Sequence, residues 1–318
     1  MTVNSAGPAH TPAFTDAPTD LRRMAVILAT AAAGHVRVRR RELGVGGGHA
    51  EGTDLKSSRV DPVTVVDRES EQLIRELVAS LRPGDAVLGE EFGAGPGEVD
   101  EGSTEEAPID EVRTDDTQAG SVRWIVDPID GTVNFLYGIP AYGVSIACEV
   151  GGRIVAGAVA DVAGGRIFHA ATGQGAAVRD GSGREETLRC SSPSDLGVSL
   201  VATGFGYAAE RRAVQGALVA DLLCDVRDIR RIGSAALDLC LLAAGGVDCY
   251  YEHGLNAWDW AAGALIAVEA GAVVKHPGLG AASAEGELVA AAAPTVAEEF
   301  FAALEARDAL GPISRRAR

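Results

Sequence analysis

The first ordered stretch of the chain carries apolar residues at the spacing of a helix face. These positions are Leu21, Met24, Ile27, Leu28 and Ala31. Their separation by three or four residues predicts an amphipathic helix over 20–43. The apolar run 63–67 (VTVVD) then predicts an extended segment that ends at Asp67. That side chain is placed to cap a second helix through residue 79.

Short apolar runs in the middle of the chain predict strands. Residues 86–91 (AVLGEE) and 122–127 (VRWIVD) are typical of buried strands that run into acids. The segment 142–162 places two glycines between two apolar runs, which indicates a β-hairpin. Further short strands are expected to about residue 190.

The second half of the chain alternates between strand-like and helix-like segments. We expect strands near 198–203, 247–252, 272–275 and 287–291, and helices over 207–224, 233–244, 257–271 and 295–309. Hairpins combined with helical layers favour an α+β or layered α/β sandwich.

Composition marks the segments outside this pattern. Residues 1–16 are small, polar and proline-containing, so we expect a disordered tail followed by one folded domain over 17–310. Within it, 93–120 contains nine acids and a single arginine and predicts a surface insertion. Residues 311–318 form a short basic C-terminal tail.

Net charge excludes some classes of partner. The chain has 28 Lys+Arg against 45 Asp+Glu, a formal charge of −17, while 47% of its residues are hydrophobic. An acidic globular protein repels nucleic-acid backbones and anionic membranes, so neither is expected as a partner. Five cysteines without a CxxC pair, and a start without a secretory signal pattern, indicate reduced thiols and a cytoplasmic location.

Acidic residues next to strongly apolar segments are the candidate chemistry. They are Glu90, Glu91, Asp127, Asp130 and Asp259. Because an acid at the end of an apolar strand is costly unless it is paired or binds a cation, and because no histidine accompanies these acids, they favour a hard metal such as Mg²⁺. The alternative is that DPIDG is an ordinary turn with solvated acids.

The residues after Asp130 complete that candidate site. Gly131, Thr132 and Asn134 are placed to open a helix whose first backbone N–H groups face an anion. Carboxylates beside an anion site are compatible when a metal bridges carboxylate and phosphate.

Four motifs in this order resemble the inositol monophosphatase family: LKSSRVDPVTVVD, LGEEFG, WIVDPIDGTVNF and AWDWAAGALIAVEAGA. The segment 230–254 is similar to the family's substrate-side segment. The resemblance implies an αβαβα layered α/β sandwich of the sugar-phosphatase type. It also implies Mg²⁺-dependent, lithium-sensitive hydrolysis of inositol 1-phosphate by a homodimer.

The resemblance also implies roles for single residues. The implied metal ligands are Glu90, Asp127, the carbonyl of Ile129, Asp130 and Asp259. Glu90 would also orient the attacking water, and Thr132 paired with Asp67 resembles the relay that helps to deprotonate it. Glu91 has a less direct role, and Lys56 resembles the mobile-loop residue that approaches a further metal, although an ordinary solvated lysine is the alternative.

On the substrate side the resemblance implies a larger set of contacts. They are Asp130, Gly131, Thr132, Gly233, Ser234, Ala235, Glu252 and Asp259. Two of these have plainer interpretations, Ser234 as a helix cap and Glu252 as a surface acid at a strand end. His253 is expected to be a surface histidine.

The shared metal motif leaves the substrate open. Fructose 1,6-bisphosphate, histidinol phosphate and 3′-phosphoadenosine 5′-phosphate are alternatives within the class. A non-catalytic partner of the transcription machinery is the alternative from a different class.

Overall fold

The computed structural model describes residues 14–44, 53–55, 62–94 and 121–313, with backbone alone for 53–55, 62 and 63. The predictions for Lys56, for residues 1–13, for 95–120 of the acidic insertion and for 314–318 therefore lie outside the described residues. Among the residues that the structure describes, no helix has both the length and the apolar character needed to cross a membrane.

The first two helices pack together ahead of the sheets. The elements are α1 (Pro18–Leu43), β1 (Thr53–Leu55), β2 (Pro62–Thr64) and α2 (Val65–Leu81). Thr64 caps α2: its hydroxyl accepts from the Asp67 amide at 3.2 Å, and the Asp67 carboxylate accepts from the Thr64 amide at 3.0 Å. The prediction that Asp67 is the N-cap was wrong, because this capping box moves the helix start three residues earlier.

A seven-stranded sheet follows in chain order. Its strands are β3 (Ala86–Gly89), β4 (Val122–Asp130), β5 (Gly143–Val150), β6 (Arg153–Asp161), β7 (Arg166–Ala171), β8 (Ala176–Arg179) and β9 (Glu185–Thr187). Among the described strands of this sheet, β3 and β4 pair in parallel and the other neighbours pair antiparallel. The predicted hairpin is β5–β6, and its turn glycines, Gly151 and Gly152, both have the positive φ that such a tight turn requires.

The second sheet has five strands in the order β11-β10-β12-β14-β13. They are β10 (Leu200–Thr203), β11 (Asp228–Arg230), β12 (Cys249–His253), β13 (Val273–Lys275) and β14 (Leu288–Ala292). The remaining helices are α3 (Thr132–Tyr137), α4 (Ala209–Leu222), α5 (Ala235–Ala243), α6 (Ala257–Glu269) and α7 (Ala297–Glu305). The sequence did not predict β11, whose three residues include two charges and carry no strand pattern.

Alternating side chains divide the core into three layers of packing. On β4, Trp124 and Val126 face α1 and α2, while Ile125 faces α5 and α6. On β12, Tyr250 packs towards α5 and α6, and Tyr251 packs towards α4 and α7. Because successive strand residues face opposite sides, the order is helices, sheet, helices, sheet, helices. This confirms the predicted αβαβα sandwich.

Both ends of the folded region extend further than predicted. The carbonyl of Phe14 accepts from Arg82 at 2.9 Å, and Asp16 pairs with the same guanidinium at 2.6 Å. At the other end, the carbonyl of Ile313 accepts from Arg211 at 2.9 Å. The half-buried Arg82 therefore holds Phe14 and Asp16, and the buried Arg211 holds Ile313, so these residues are attached to the folded region.

His253 is buried, with 1% of its surface exposed, so the prediction of a surface histidine was wrong. Its Nε2 lies 2.8 Å from the carbonyl of Ala309, beyond the end of α7. Burial lowers the pKa of His253 to about 4. The ring is therefore neutral at pH 7, with Nε2–H donating to Ala309.

Candidate active site

The two parallel strands β3 and β4 bring the first two acids together. Their register pairs Gly89 with Val126, and the amide of Glu90 donates to the carbonyl of Val126 at 3.2 Å. Glu90 therefore lies one position beyond β3, beside Asp127. Because the carboxyl ends of adjacent parallel strands share one edge of the sheet, two acids far apart in sequence become neighbours.

A bulge at the end of β4 sets the positions of the next residues. On β5, Ser145 pairs with Asp127 and Gly143 pairs with Asp130, so three steps on β4 match two on β5. Asp127 is buried, and its Oδ1 accepts from the Ile129 amide at 3.0 Å. Such a bulge breaks the regular alternation of side chains. The strand pattern alone therefore did not determine the orientation of Asp130.

Asp130 faces the N-terminus of α5. Its Oδ2 accepts from the Ser234 hydroxyl at 2.6 Å and from the Ala236 amide at 2.7 Å. Desolvation raises the pKa of Asp130 to about 6, and the charge of Glu90 adds to this shift, while the hydrogen bonds from α5 oppose it. The anion at this helix end is thus a carboxylate of the protein itself.

Ser234 serves two purposes at that helix end. Its hydroxyl oxygen accepts from the Leu237 amide at 3.3 Å, which confirms the predicted cap, while its proton goes to Asp130. The structure therefore brings Asp130 into direct contact with Ser234 and Ala236 at the start of α5.

Asp259 lies in the first turn of α6. Its Oδ2 accepts from the Asn256 amide at 2.7 Å in a capping box. The Ser145 hydroxyl donates to the carbonyl of Trp258 at 2.9 Å, and Ser145 is the β5 partner of Asp127. Desolvation raises the pKa of Asp259, and the charges of Glu90 and Asp130 raise it further. The start of α6 therefore places the carboxylate of Asp259 near the sheet edge that carries Glu90 and Asp127.

The glycine turn before α3 packs tightly against the segment that precedes α5. Gly131 has φ 92°, and a Cβ there would lie 3.0 Å from the Ala141 carbonyl oxygen and 3.1 Å from that of Gly233. The side-chain Nδ2 of Asn134 donates to the carbonyls of Ala141, at 2.7 Å, and Ile232, at 2.8 Å. The turn therefore needs glycine both for its φ and for space.

Thr132 and Asp67 meet only at the limit of hydrogen bonding. The Thr132 hydroxyl lies 3.5 Å from Asp67 Oδ1 and 3.0 Å from the carbonyl oxygen of Ile129. A hydroxyl has one proton, and the shorter contact takes it. The structure therefore places Thr132 next to Asp67, as predicted, but the Thr132 hydroxyl donates its proton to the carbonyl of Ile129.

Glu252 approaches the acids from β12. The hydroxyl of Tyr250 donates to its Oε2 at 3.0 Å. Desolvation raises the pKa of Glu252 to about 7; the hydrogen bond from Tyr250 lowers it, and the charge of Asp130 raises it. A Cβ at Gly204 would lie 2.0 Å from Oε2 of this carboxylate. Tyr250 and Gly204 were missed, although a tyrosine two positions before Glu252 lies on the same strand face.

The comparisons with known proteins decide the family. The model of the inositol monophosphatase family matches residues 20–309. The chain belongs to the inositol monophosphatase family. It is 52% identical over 301 residues to the inositol-1-monophosphatase of Mycobacterium leprae, a match that covers 93% of this chain and 97% of that protein.

Further relatives and a solved structure extend this likeness. The Nus factor SuhB of Pasteurella multocida is 37% identical over 250 residues, covering 78% of this chain and 84% of that protein. The solved structure of Mycobacterium tuberculosis SuhB superposes with a TM-score of 0.74 at 46% identity, covering 93% of this chain and 100% of that one. The five-layer architecture is thus that of inositol monophosphatase structures.

Members of this family are generally metal-dependent. The donor set here fits a divalent cation chemically, because the charge of Glu90 raises the pKa of both Asp130 and Asp259, and the charge of Asp130 adds to the shift of Asp259. A cation would offset that repulsion, and carboxylate oxygen is the ligand that Mg²⁺ prefers. Across 14–44, 62–94 and 121–313, no group of three or more Asp, Glu, His or Cys side chains is already arranged to hold a metal.

Proposed function

We propose that the protein hydrolyses inositol monophosphate to myo-inositol and orthophosphate in a Mg²⁺-dependent reaction. The observation that carries this proposal is the convergence of carboxylates from β3, β4 and α6 beside the glycine turn of α3. The relative from Mycobacterium leprae, named inositol-1-monophosphatase, supports the choice of substrate. The reaction breaks the P–O bond of the ester by attack of water on phosphorus.

Metal binding is assigned to the acids at the sheet edge. The proposed ligands are Glu90, Asp127, the carbonyl of Ile129, Asp130 and Asp259. When bound, Mg²⁺ supplies positive charge that polarises the phosphate ester and increases the acidity of water. Four carboxylates and one backbone carbonyl would provide the oxygen ligands, and Asp127 and Asp130 among them are buried.

The glycine turn is proposed to bind the phosphate. The first N–H groups of a helix have no carbonyl within the helix to bond, so the start of α3 at Gly131 and Thr132 presents donors to an anion. Glu90 would orient the attacking water by accepting a hydrogen bond from it. The Thr132 hydroxyl, after turning from Ile129, would take the other proton of that water as it passes its own proton to Asp67, so the water attacks as hydroxide and Thr132 remains a neutral hydroxyl.

The inositol ring is proposed to lie against β12 and the start of α5. Glu252, held by Tyr250, offers carboxylate oxygens to ring hydroxyls. The charges of Asp130 and Asp259 interact with that of Glu252, so we include both acids, and the segment Gly233, Ser234 and Ala235 beside Asp130, in the proposed ring-binding set. This polyol-binding side, rather than the metal side, is where substrates of the class would be distinguished.

A substrate panel tests the proposal. Phosphate release is measured for inositol 1-phosphate, fructose 1,6-bisphosphate, histidinol phosphate and 3′-phosphoadenosine 5′-phosphate, ranked by kcat/KM. We expect inositol 1-phosphate to rank first, with activity lost in excess chelator and suppressed by lithium. Activity that persists in chelator would refute the metal mechanism, and a different leading substrate would replace inositol phosphate.

A second candidate function is association with the transcription machinery, favoured by the relatives named Nus factor SuhB. No hydrolysis of any panel member at saturating Mg²⁺, together with tight binding to purified RNA polymerase of the same species, would establish it. The charge of −17 disfavours direct contact with RNA and leaves a protein as the partner.

We also propose a cytoplasmic homodimer that binds neither membranes nor nucleic acid. Light scattering on a sizing column distinguishes a dimer from a chain of 32.6 kDa. A single species at the monomer mass across the working concentration range would contradict the dimer.

A further inference from the structure

The turn that carries Glu90, residues 89–93, is hydrogen-bonded to a buried carboxylate of α2. Glu71 is completely buried, and its Oε2 accepts from the Glu91 amide at 2.7 Å. Its Oε1 accepts from the Phe92 amide at 3.3 Å. One side chain thus binds two consecutive amides of the turn immediately after Glu90.

Arg75, one helical turn after Glu71, joins the two ends of the same turn. Its Nε and Nη2 lie 2.9 and 2.7 Å from Glu71 Oε1. Nη2 also donates to the carbonyl of Gly93 at 2.6 Å, and Nη1 donates to that of Val87 at 3.3 Å. The guanidinium therefore bridges the strand before the turn and the chain after it.

Gly89 is the point of closest approach between α2 and the turn. A Cβ at this residue would lie 2.0 Å from Glu71 Oε1, so any side chain there would displace the carboxylate. Gly89 and Gly93 exchange backbone hydrogen bonds of 3.0 and 3.1 Å, which close the turn. The backbone of the turn therefore closes around the Glu71 carboxylate, and a glycine at position 89 leaves the space that this carboxylate occupies.

Burial of this carboxylate needs a reason beyond helix stability. Burying a charge is costly unless it is paired and hydrogen-bonded, and Glu71 recovers that cost through Arg75 and two amides of the turn. Replacing such a buried pair by apolar residues is often neutral for stability. The contacts of Glu71 and Arg75 are instead concentrated on 87–93, the segment that carries Glu90.

We propose that Glu71, paired with Arg75, is a positioning residue that fixes the backbone around Glu90 so that its carboxylate is oriented for a divalent cation before the cation binds. This inference rests on the proposed function to the extent that it takes Glu90 as a metal ligand. It assigns to α2 a role in metal affinity, although neither residue would touch the metal.

The test compares Glu71→Gln with the matched control Glu76→Gln. Both replace a glutamate of α2, but Glu76 is exposed and accepts a hydrogen bond from Gln72, one turn away on the same helix, at 3.0 Å. A glutamine at position 71 keeps the shape and loses one acceptor, so the amide of Glu91 or the guanidinium of Arg75 loses its partner. Mn²⁺ binding to each protein is measured by isothermal titration calorimetry without substrate.

We expect Glu71→Gln to weaken Mn²⁺ binding by about tenfold, the lower end of the effect of residues that orient metal ligands, and Glu76→Gln to bind as the unsubstituted protein does. In turnover, the Mg²⁺ concentration for half-maximal activity should rise for Glu71→Gln while kcat at saturating Mg²⁺ recovers. A folded Glu71→Gln variant with unchanged Mn²⁺ affinity would overturn the inference. If the unsubstituted protein binds no Mn²⁺, the proposed function itself fails, which is a different result.

A measurement on the unsubstituted protein covers the case in which Glu71→Gln does not fold. Hydrogen exchange is followed by NMR in the presence of chelator. The amides of Glu91 and Phe92 should exchange at least about a hundredfold more slowly than in an unstructured chain, because their hydrogen bonds to Glu71 make local opening rare. Exchange of both amides at the rate of an unstructured chain would show that the turn is not held before the metal binds, and would overturn the proposal.

Discussion

Single side chains at the site are set by contacts from other segments. Asp130 receives its hydrogen bonds from Ser234 and Ala236, more than a hundred positions away, and Glu252 receives one from Tyr250 on its own strand. Asp130 was a candidate from its residue type beside an apolar strand, whereas Glu252 was a candidate from the resemblance of 230–254 to the family's substrate-side segment. Their partners were not predicted, because a sequence pattern shows which residues are acidic and not which donor reaches them.

Asp127→Asn tests a proposed metal ligand. A metal contributes several kcal/mol to stabilising the transition state. Losing about 3 kcal/mol of that corresponds to a fall of more than about a hundredfold in kcat/KM. We expect that fall in the phosphate-release assay with an unchanged circular-dichroism spectrum. Asp225→Asn, at an exposed ion pair with Arg307, is the control and should stay fully active; a fully active Asp127→Asn would refute the ligand role.

Tyr250→Phe tests the support of Glu252. The variant removes the 3.0 Å hydrogen bond to a carboxylate, an interaction of about 1.5–3 kcal/mol. KM for inositol 1-phosphate should therefore rise about tenfold or more, while kcat changes little. Tyr251→Phe is the matched control, since this neighbour faces the opposite side of β12, towards α7. Equal KM values for the two variants would contradict a role in substrate binding.

Element boundaries followed local hydrogen bonds more than hydrophobic periodicity. The apolar run before Asp67 predicted a strand to that residue, yet α2 begins at Val65 because Thr64 and Asp67 cap each other. The bulge between Asp127 and Asp130 could not be predicted from the sequence, because the order of apolar and polar residues along β4 does not mark it. By contrast, the start of α3 after Gly131 and the cap of α5 at Ser234 were predicted correctly, since glycine and serine mark such ends by their own chemistry.

Ser234→Ala tests the cap that joins two elements. Loss of an N-cap costs about 1 kcal/mol, and Asp130 loses the donor that lowers its pKa. The free energy of unfolding in urea should fall by about that amount or more. Ser234→Thr keeps a hydroxyl and should retain most of the stability. Equal stability of the alanine and threonine variants would show that the hydroxyl is not what caps α5.

At the scale of the molecule, five layers bring distant segments to one edge. The sheet edge at β3 and β4, the start of α6 and the start of α5 meet because α5 and α6 are packed between the two sheets. The charge of −17 is unevenly spread, since nine acids lie in 93–120 and others at this edge. A bound cation reverses the local sign, so an acidic protein can bind a small phosphate ester.

His253 links the second sheet to the end of the chain and makes stability depend on pH. Its folded pKa of about 4 lies below the ordinary 6.5, so below pH 6.5 the unfolded state binds the proton more readily. The contribution of His253 to stability is therefore lost as pH falls from 6.5 towards 4, by about 2 kcal/mol between pH 7 and pH 5, while the raised pKa values of Asp130 and Glu252 act in the opposite direction. Urea unfolding at both pH values should show that this loss is smaller in His253→Gln.

His276→Gln, at an exposed position, is the control for that experiment and should keep the pH dependence of the unsubstituted protein. An identical loss of stability in His253→Gln and in the unsubstituted protein would show that the buried ring does not cause it.

The sequence by itself determined most of the element types, the hairpin, a fold class of α+β or layered α/β type, and the identity of the acids beside apolar runs. These follow from local properties: periodicity, turn glycines, caps and acids beside apolar runs. Only the tertiary structure decided that Asp130 faces α5, that His253 is buried, and that Glu71 and Arg75 support the turn of Glu90. The physical reason is that burial, desolvation and hydrogen-bond partners depend on which segments meet, and a local pattern does not contain that information.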